Sequence, residues 1–198
     1  DCAVAFVFKD KAHQNKDLQQ LLELNRFDAI IGATLMFSRV SGYKAKRLLI
    51  VGLGDSSPNE KNYIRVLHSL SSALSEAKVK NVVIRDSQID NRDESWVQST
   101  TARVLKNASY QVEKVDAQEK NEKGNLEAIS IYSANNDATE ISKGLAIANG
   151  MALTRRLGDL PSNICTPSYL AETAKSLAKS YKLDCEVLEE SDMEALGM

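Results

Sequence analysis

The chain has 198 residues, of which 43% are hydrophobic, and 25 Lys and Arg stand against 27 Asp and Glu for a net charge of −2. At roughly 150 residues per domain this is one domain and a remainder, a size at which folding removes about 70% of the unfolded surface from water. The charge balance excludes a broadly basic nucleic-acid binder. Three cysteines, Cys2, Cys165 and Cys185, with no CxxC pair exclude both a disulfide framework and a zinc ribbon.

Residues 2–8 are β-branched and aromatic-rich and read as a buried strand. They have no basic stretch before them and no small-residue cleavage site after them, so they do not read as a signal peptide. No apolar run approaches the ~18 residues of a membrane span, and three free thiols fit a reducing cytosol. The first residue is Asp1 rather than Met, so the native start is expected to be missing. Leu18, Leu21 and Leu22 recur at helical spacing and predict a helix near 14–24, and residues 33–37 a second strand. The clearest strand is Arg47 to Val51, running into the glycine turn Gly52-Leu53-Gly54.

Ser57-Pro58-Asn59-Glu60 has the pattern of a capping box with Pro at the first helical position. Behind it Tyr63, Leu67, Leu70, Leu74 and Ala77 form one apolar stripe. Residues 81–84 predict a short buried strand, and 93–108 a helix with Trp96, Thr100, Val104 and Ala108 on one face. Residues 113–125 read as an exposed loop and Glu127–Tyr132 as a strand. Strands and helices therefore alternate, the signature of an α/β layered domain with a parallel or mixed sheet.

From about Asp137 the texture becomes that of a long helix, with Ile141, Leu145, Ala148 and Ala152 at helical spacing as far as Leu157. Gly144 and Gly150 each cost about 1 kcal/mol of helix propensity, which points to close packing of another backbone, and Gly158 is the expected stop. A two-proline loop, Leu160 to Pro167, follows. Thr166 is placed to cap a helix whose first residue is Pro167 and which continues through Leu170, Ala174, Leu177 and Ala178. A strand at Asp184–Leu188 and a short acidic turn at Glu189–Leu196 close the chain.

Several residues invite chemistry. Gly52 and Gly54 stand between a strand and a helix, as in a phosphate loop. The third glycine of a dinucleotide fingerprint would fall at Ser57, however, and no Gly-Lys-Ser/Thr follows, so a tight turn is the better reading. His13 and His68 have no partner at metal-ligand spacing. Cys165 sits in the two-proline loop, but a nucleophile there would need a base that the sequence does not supply. Lys44, Lys46 and Arg47 form a basic cluster at a strand entry, and the tail carries Asp184, Glu186, Glu189, Glu190, Asp192 and Glu194. These six acids are scattered in direction over a strand and a turn and read as a solvated face rather than a metal site. Asn107-Ala108-Ser109 is a formal sequon without a secretory context.

The run Lys143–Asp159, followed by Leu160–Ala171, resembles the domain junction of the leucyl (cytosol) aminopeptidase family. There a long helix joins two domains and leads into an Asn-x-Pro-x-Asn-x-x-x-Pro loop and a Tyr-Leu-Ala helix. Asp159 takes the place of the first Asn; Pro161, Asn163 and Pro167 match, and Tyr169, Leu170 and Ala171 follow. The ending Asp192–Met198 and the strand Lys46–Gly54 are similar to family segments in the same order, while residues 85–135 carry little of the likeness.

The resemblance implies a macro-domain-like N-terminal domain over 1–135, with a layered mixed sheet and flanking helices. A linker helix over 136–159 and an incomplete second α/β domain over 160–198, the start of a metallopeptidase catalytic domain, would follow. It implies hexameric, cytoplasmic exopeptidases that remove N-terminal residues from peptides. In these enzymes two divalent ions, zinc or manganese, activate water and polarise the scissile carbonyl. The family's Asn-Thr-Asp-Ala-Glu-Gly-Arg motif is nowhere in these residues, so no catalytic, cofactor-binding or metal-ligating residue is assigned. The chain alone is expected to be inactive and metal-free, serving assembly and access to the active site. The other reading is a non-enzymatic DNA- or nucleotide-binding module, since some family members bind DNA and macro-like domains hold ADP-ribose-type ligands. The near-neutral charge and the missing phosphate loop argue against it.

Overall fold

The structure, a computed structural model, describes residues 1–9, 11–85, 89–90, 92–110, 126–132 and 138–198. The expected loop at 113–125 lies outside the described residues. Those described fall into two compact units, divided between Ala152 and Leu153.

The first unit is built on five strands: β1 (Cys2–Val7), β2 (Thr34–Ser38), β3 (Arg47–Gly52), β4 (Asn81–Arg85) and β5 (Ala128–Tyr132). They lie in the order β2-β3-β1-β4-β5. β3, β1, β4 and β5 are mutually parallel, and β2 joins antiparallel to β3 with Thr34 opposite Val51 and Ser38 opposite Arg47. The sheet is thus mixed and largely parallel, as the alternation of elements implies. β3 is apolar without alternation because both its faces are covered: Leu48, Leu49, Ile50 and Val51 are each at most 1% exposed.

One face of the sheet carries α2 (Glu60–Glu76) and α3 (Glu94–Ala108); the other carries α1 (Lys16–Leu24). Leu67, Leu70 and Leu74 of α2 pack with Val4, Leu49, Val82 and Ile84. Leu18 of α1 packs with Ala5, Leu48 and Ile50 on the opposite face. α1 leaves β4 and β5 uncovered on its side, and Val83 and Tyr132 are 48% and 62% exposed there.

Two helices differ in detail from the sequence pattern. α2 begins at Glu60, two residues later than expected, and its cap is Asn59, whose Oδ1 accepts the Asn62 N–H (3.0 Å). Pro58 stays outside the helix because its carbonyl accepts the Asp90 N–H (3.2 Å). α3 buries Val97, Thr101, Val104 and Leu105, while Ala108 is exposed and Trp96 only half-buried. The helix is covered on two sides, which explains its buried polar residues. Thr101 Oγ1 meets the Tyr63 hydroxyl of α2 at 2.8 Å, and the Ser99 backbone meets α4 (Ala138–Asp159).

That last contact accounts for Gly144 in α4: a Cβ there would lie 2.2 Å from the Ser99 carbonyl oxygen. The same reading fails for Gly150, which faces open space, and Gly158 does not end the helix, which runs through it to Asp159.

In the second unit, α5 (Pro167–Tyr181) starts as expected: Thr166 Oγ1 accepts the Tyr169 N–H (3.3 Å) and Pro167 opens the helix. The expected strand Asp184–Leu188 is not formed. Residues 183–189 are irregular, and every strand of the described sheet belongs to the first unit, so the segment has no ladder to join. α6 (Glu190–Ala195) follows.

The apolar Leu74 side chain is fully buried between α2 and the sheet. Leu74→Ala is therefore expected to cost about 2–5 kcal/mol in a denaturant melt, the range for emptying a core leucine site. A loss below about 0.5 kcal/mol would place the stripe against solvent.

Candidate functional site

At the carboxyl ends of the adjacent parallel strands β1 and β3, the chain leaves in opposite directions. β1 leads to α1 on one face and β3 to α2 on the other. In open α/β sheets such a switch point opens a crevice where ligands bind. Here it holds a cleft of about 510 Å³, reached by Lys9 after β1, by residues 53–59 after β3, and by Asn62, Arg65 and Asp90. The rim is tied by backbone hydrogen bonds: Lys9 N–H to the Gly54 carbonyl (2.9 Å) and Asp90 N–H to the Pro58 carbonyl (3.2 Å). A second cavity of about 710 Å³ lies over β1 and the uncovered side of β4 and β5, and Leu53 and Ser57 border both.

The glycines form the floor of this edge, and they do so without offering a phosphate nest. Gly52 N–H donates to Ala33 (2.8 Å), Leu53 N–H to Val7 (2.8 Å) and Gly54 N–H to Ala29 (2.9 Å). All three donors are consumed by the fold, so none remains for an anion. Gly52 is required because a Cβ would meet the Ile30 carbonyl oxygen at 2.3 Å, and Gly54 because its φ is +84°.

The other marked residues are dispersed. His13 Nδ1 accepts the Asn15 N–H (3.0 Å) and the His13 backbone N–H donates to Gln19 Oε1 (2.8 Å), so it braces the start of α1. His68 is exposed on α2. Arg47 is structural: its guanidinium donates to the Asp1 carboxylate (2.6 Å) and the Ala77 carbonyl (2.6 Å), while Lys44 and Lys46 are exposed. In the tail the Asp192 carboxylate accepts the Glu189 N–H (3.0 Å) at the start of α6, and Asp184, Glu186, Glu190 and Glu194 face solvent. Among the described residues no group of three or more His, Cys, Asp and Glu gathers closely enough to hold a metal ion. A resident metal site therefore does not fit these residues. The formal sequon places Asn107 in the last turn of α3.

Lys9, Asn62, Arg65 and Asp90 are not marked in the sequence, because they come from three separate stretches that only the sheet topology brings to one edge. The available signal is their position just beyond strand ends or on the first turns of α2.

Residues 6–118 match the N-terminal domain of the cytosol aminopeptidase family, and residues 152–198 match the catalytic domain of that family. The chain belongs to the cytosol aminopeptidase family. It is 46% identical over 198 residues to a probable cytosol aminopeptidase of Vesicomyosocius okutanii subsp. Calyptogena okutanii, covering all of this chain and 41% of the relative. A probable cytosol aminopeptidase of Azoarcus sp. is 37% identical, with 96% of this chain and 39% of the relative covered. The chain thus spans about two-fifths of the length of these relatives. Among solved structures, the bottromycin maturation enzyme BotP in complex with Mn superposes with a TM-score of 0.80 at 18% identity, over all of this chain and 40% of that one. A tomato leucine aminopeptidase mutant gives 0.71 at 22% identity, over all of this chain and 43% of that one. These two show that the fold is shared. No helix among the described residues is long and apolar enough to cross a membrane.

The three thiols are graded by environment. Cys2 is buried, and burial pushes its pKa up, against a smaller opposing pull from Arg47; Cys165 is half-buried and Cys185 exposed. The thiolate is the reactive form, so a raised pKa and burial act in the same direction. With Ellman's reagent at neutral pH, Cys185 is expected to react first, Cys165 more slowly, and Cys2 only on unfolding. Prompt reaction of Cys2 in the native protein would contradict its placement.

Proposed function

We propose that this chain is the N-terminal portion of a two-metal leucyl aminopeptidase that hydrolyses the N-terminal residue from peptides in the cytoplasm. The observation that carries the reading is the order of the two family matches on one chain, N-terminal domain first and catalytic domain from residue 152. In this reading residues 1–135 form the N-terminal domain, 136–159 the linker helix, and 160–198 the first part of the catalytic domain. The divalent ions, zinc or manganese, would activate water and polarise the scissile carbonyl and would be held by catalytic-domain residues beyond those described here. This portion serves the assembly of a homo-oligomer, a hexamer as in the family, and shapes access to the active site.

The test joins residues 1–198 to the remaining catalytic portion of the 46%-identical relative and follows leucyl-p-nitroanilide hydrolysis with added Mn²⁺ or Zn²⁺. The joined protein is expected to turn over and the 198-residue chain alone to be inactive and metal-free. Turnover by a verified 198-residue species, or a folded joined protein without aminopeptidase activity, would overturn the proposal.

A further inference from the structure

We propose that the cleft at the carboxyl ends of β1 and β3 binds a free α-amino acid with an apolar side chain, gripped through both of its charges. The cleft carries both signs of charge: Asp55 and Asp90 line it together with Arg65 and with Lys9, whose ammonium also lies 3.7 Å from the Asp28 carboxylate. A phosphate or a dicarboxylate would bring like charge against the two aspartates, and a purely cationic ligand would bring it against Lys9 and Arg65. A zwitterion satisfies both sets, its ammonium at a carboxylate and its carboxylate at a guanidinium, where the charge-assisted hydrogen bonds are the strong ones.

Polar groups on α2 and in the turn before it add to this. Asn62 and Arg65, three residues apart, line the cleft from one side of α2, with the Asn59 cap at the positive end of the helix. Ser56 and Ser57 supply hydroxyls to the same rim. The cleft also has an apolar part, formed by Ile30, Ile31 and Leu53, which suits an aliphatic side chain. Its volume, about 510 Å³, falls in the ~300–1,000 Å³ range of small-molecule sites.

The glycine turn sharpens the choice of ligand. A phosphate-bearing ligand at a strand-to-helix turn is held by free backbone N–H groups, and those of Gly52, Leu53 and Gly54 are all donated within the fold. The glycines therefore add no donors to the site, and the charged side chains that line it carry both signs. Released amino acids are what the proposed aminopeptidase would produce, so its own product is the candidate ligand. That source rests on the proposed function; the binding itself does not.

The experiment is a ¹H–¹⁵N titration of the 198-residue chain with L-leucine. Leucinamide lacks the carboxylate and 4-methylpentanoate lacks the ammonium, and inorganic phosphate serves as the anion control. L-Leucine is expected to shift the amides of residues 53–65 and 90 saturably. Each single-charge analogue is expected to bind about tenfold more weakly or worse, a difference of about 1.4 kcal/mol. Arg65→Gln and Asp90→Asn should weaken L-leucine binding to a similar degree while leaving the far-UV spectrum unchanged. The analogues on the unaltered chain keep the test decisive if either variant fails to fold. Absence of saturable shifts with L-leucine, an equal response to leucinamide, or a response to phosphate alone would overturn the proposal. Failure here would leave the aminopeptidase reading untouched, and loss of that reading would leave the titration result standing.

Discussion

The close approach of Gly52 to the backbone of Ala29 and Ile30 is the constraint on which the sheet edge depends. The Gly52 N–H reaches the Ala33 carbonyl and its carbonyl receives the Gly32 N–H, so residues 29–33 are laid directly against the end of β3. This brings Ile30 and Ile31 to the carboxyl edge beside Leu53, holds Gly54 in its turn, and frees the chain to reach α2 on the far face. The crevice between β1 and β3, with its mixed charges, is a consequence of that geometry rather than of any contiguous motif. Any side chain at Gly52 would have to push the 29–33 segment off the strand.

Much of this fold is legible in the sequence because it depends on local chemistry or on simple periodicity. β3 is an unbroken apolar run since it is buried on both faces, and the α2 stripe Tyr63-Leu67-Leu70-Leu74 follows from its packing on the sheet. Thr166 and Pro167 mark the start of α5 through cap geometry alone. The start of α2 was harder to read because Ser57 and Asn59 are both good caps. A long-range hydrogen bond from Asp90 to Pro58 selects the second. The buried face of α3 is wider than one stripe because α4 also approaches it, and only Gly144 hints at this. The cleft was not legible, because its charged residues come from separate segments that meet only once the strand order is known. What resemblance contributed is of another kind. The junction sequence around Pro161, Asn163 and Pro167 marks the family, whereas the patterning of the residues specifies an α/β domain with a helical extension.

The second unit shows the limit of local signals. Val187 and Leu188 have the composition of a strand, yet a strand exists only with a neighbour to share its hydrogen bonds, and residues 183–189 have none in the described sheet. Within 153–198 the one buried apolar residue is Ala178, while Leu170, Tyr181, Leu183, Leu188 and Leu196 are exposed. Ordering each residue costs about 1–2 kcal/mol of backbone entropy, and so little apolar burial does not offset it. The first unit, by contrast, buries two separate clusters, one on each face of its sheet.

The sheet unit thus buries two apolar clusters, whereas the helical segment 153–198 leaves many of its large apolar side chains exposed. Amide hydrogen exchange on the monomeric 198-residue chain measures this directly, by comparing the amides of β3 with those of α5 and α6. The β3 amides are expected to exchange only through global unfolding, and those of residues 167–195 through local opening at much lower free energy. Equal protection of α5 and β3 in a strictly monomeric sample would contradict the account and show that the segment completes a fold of its own.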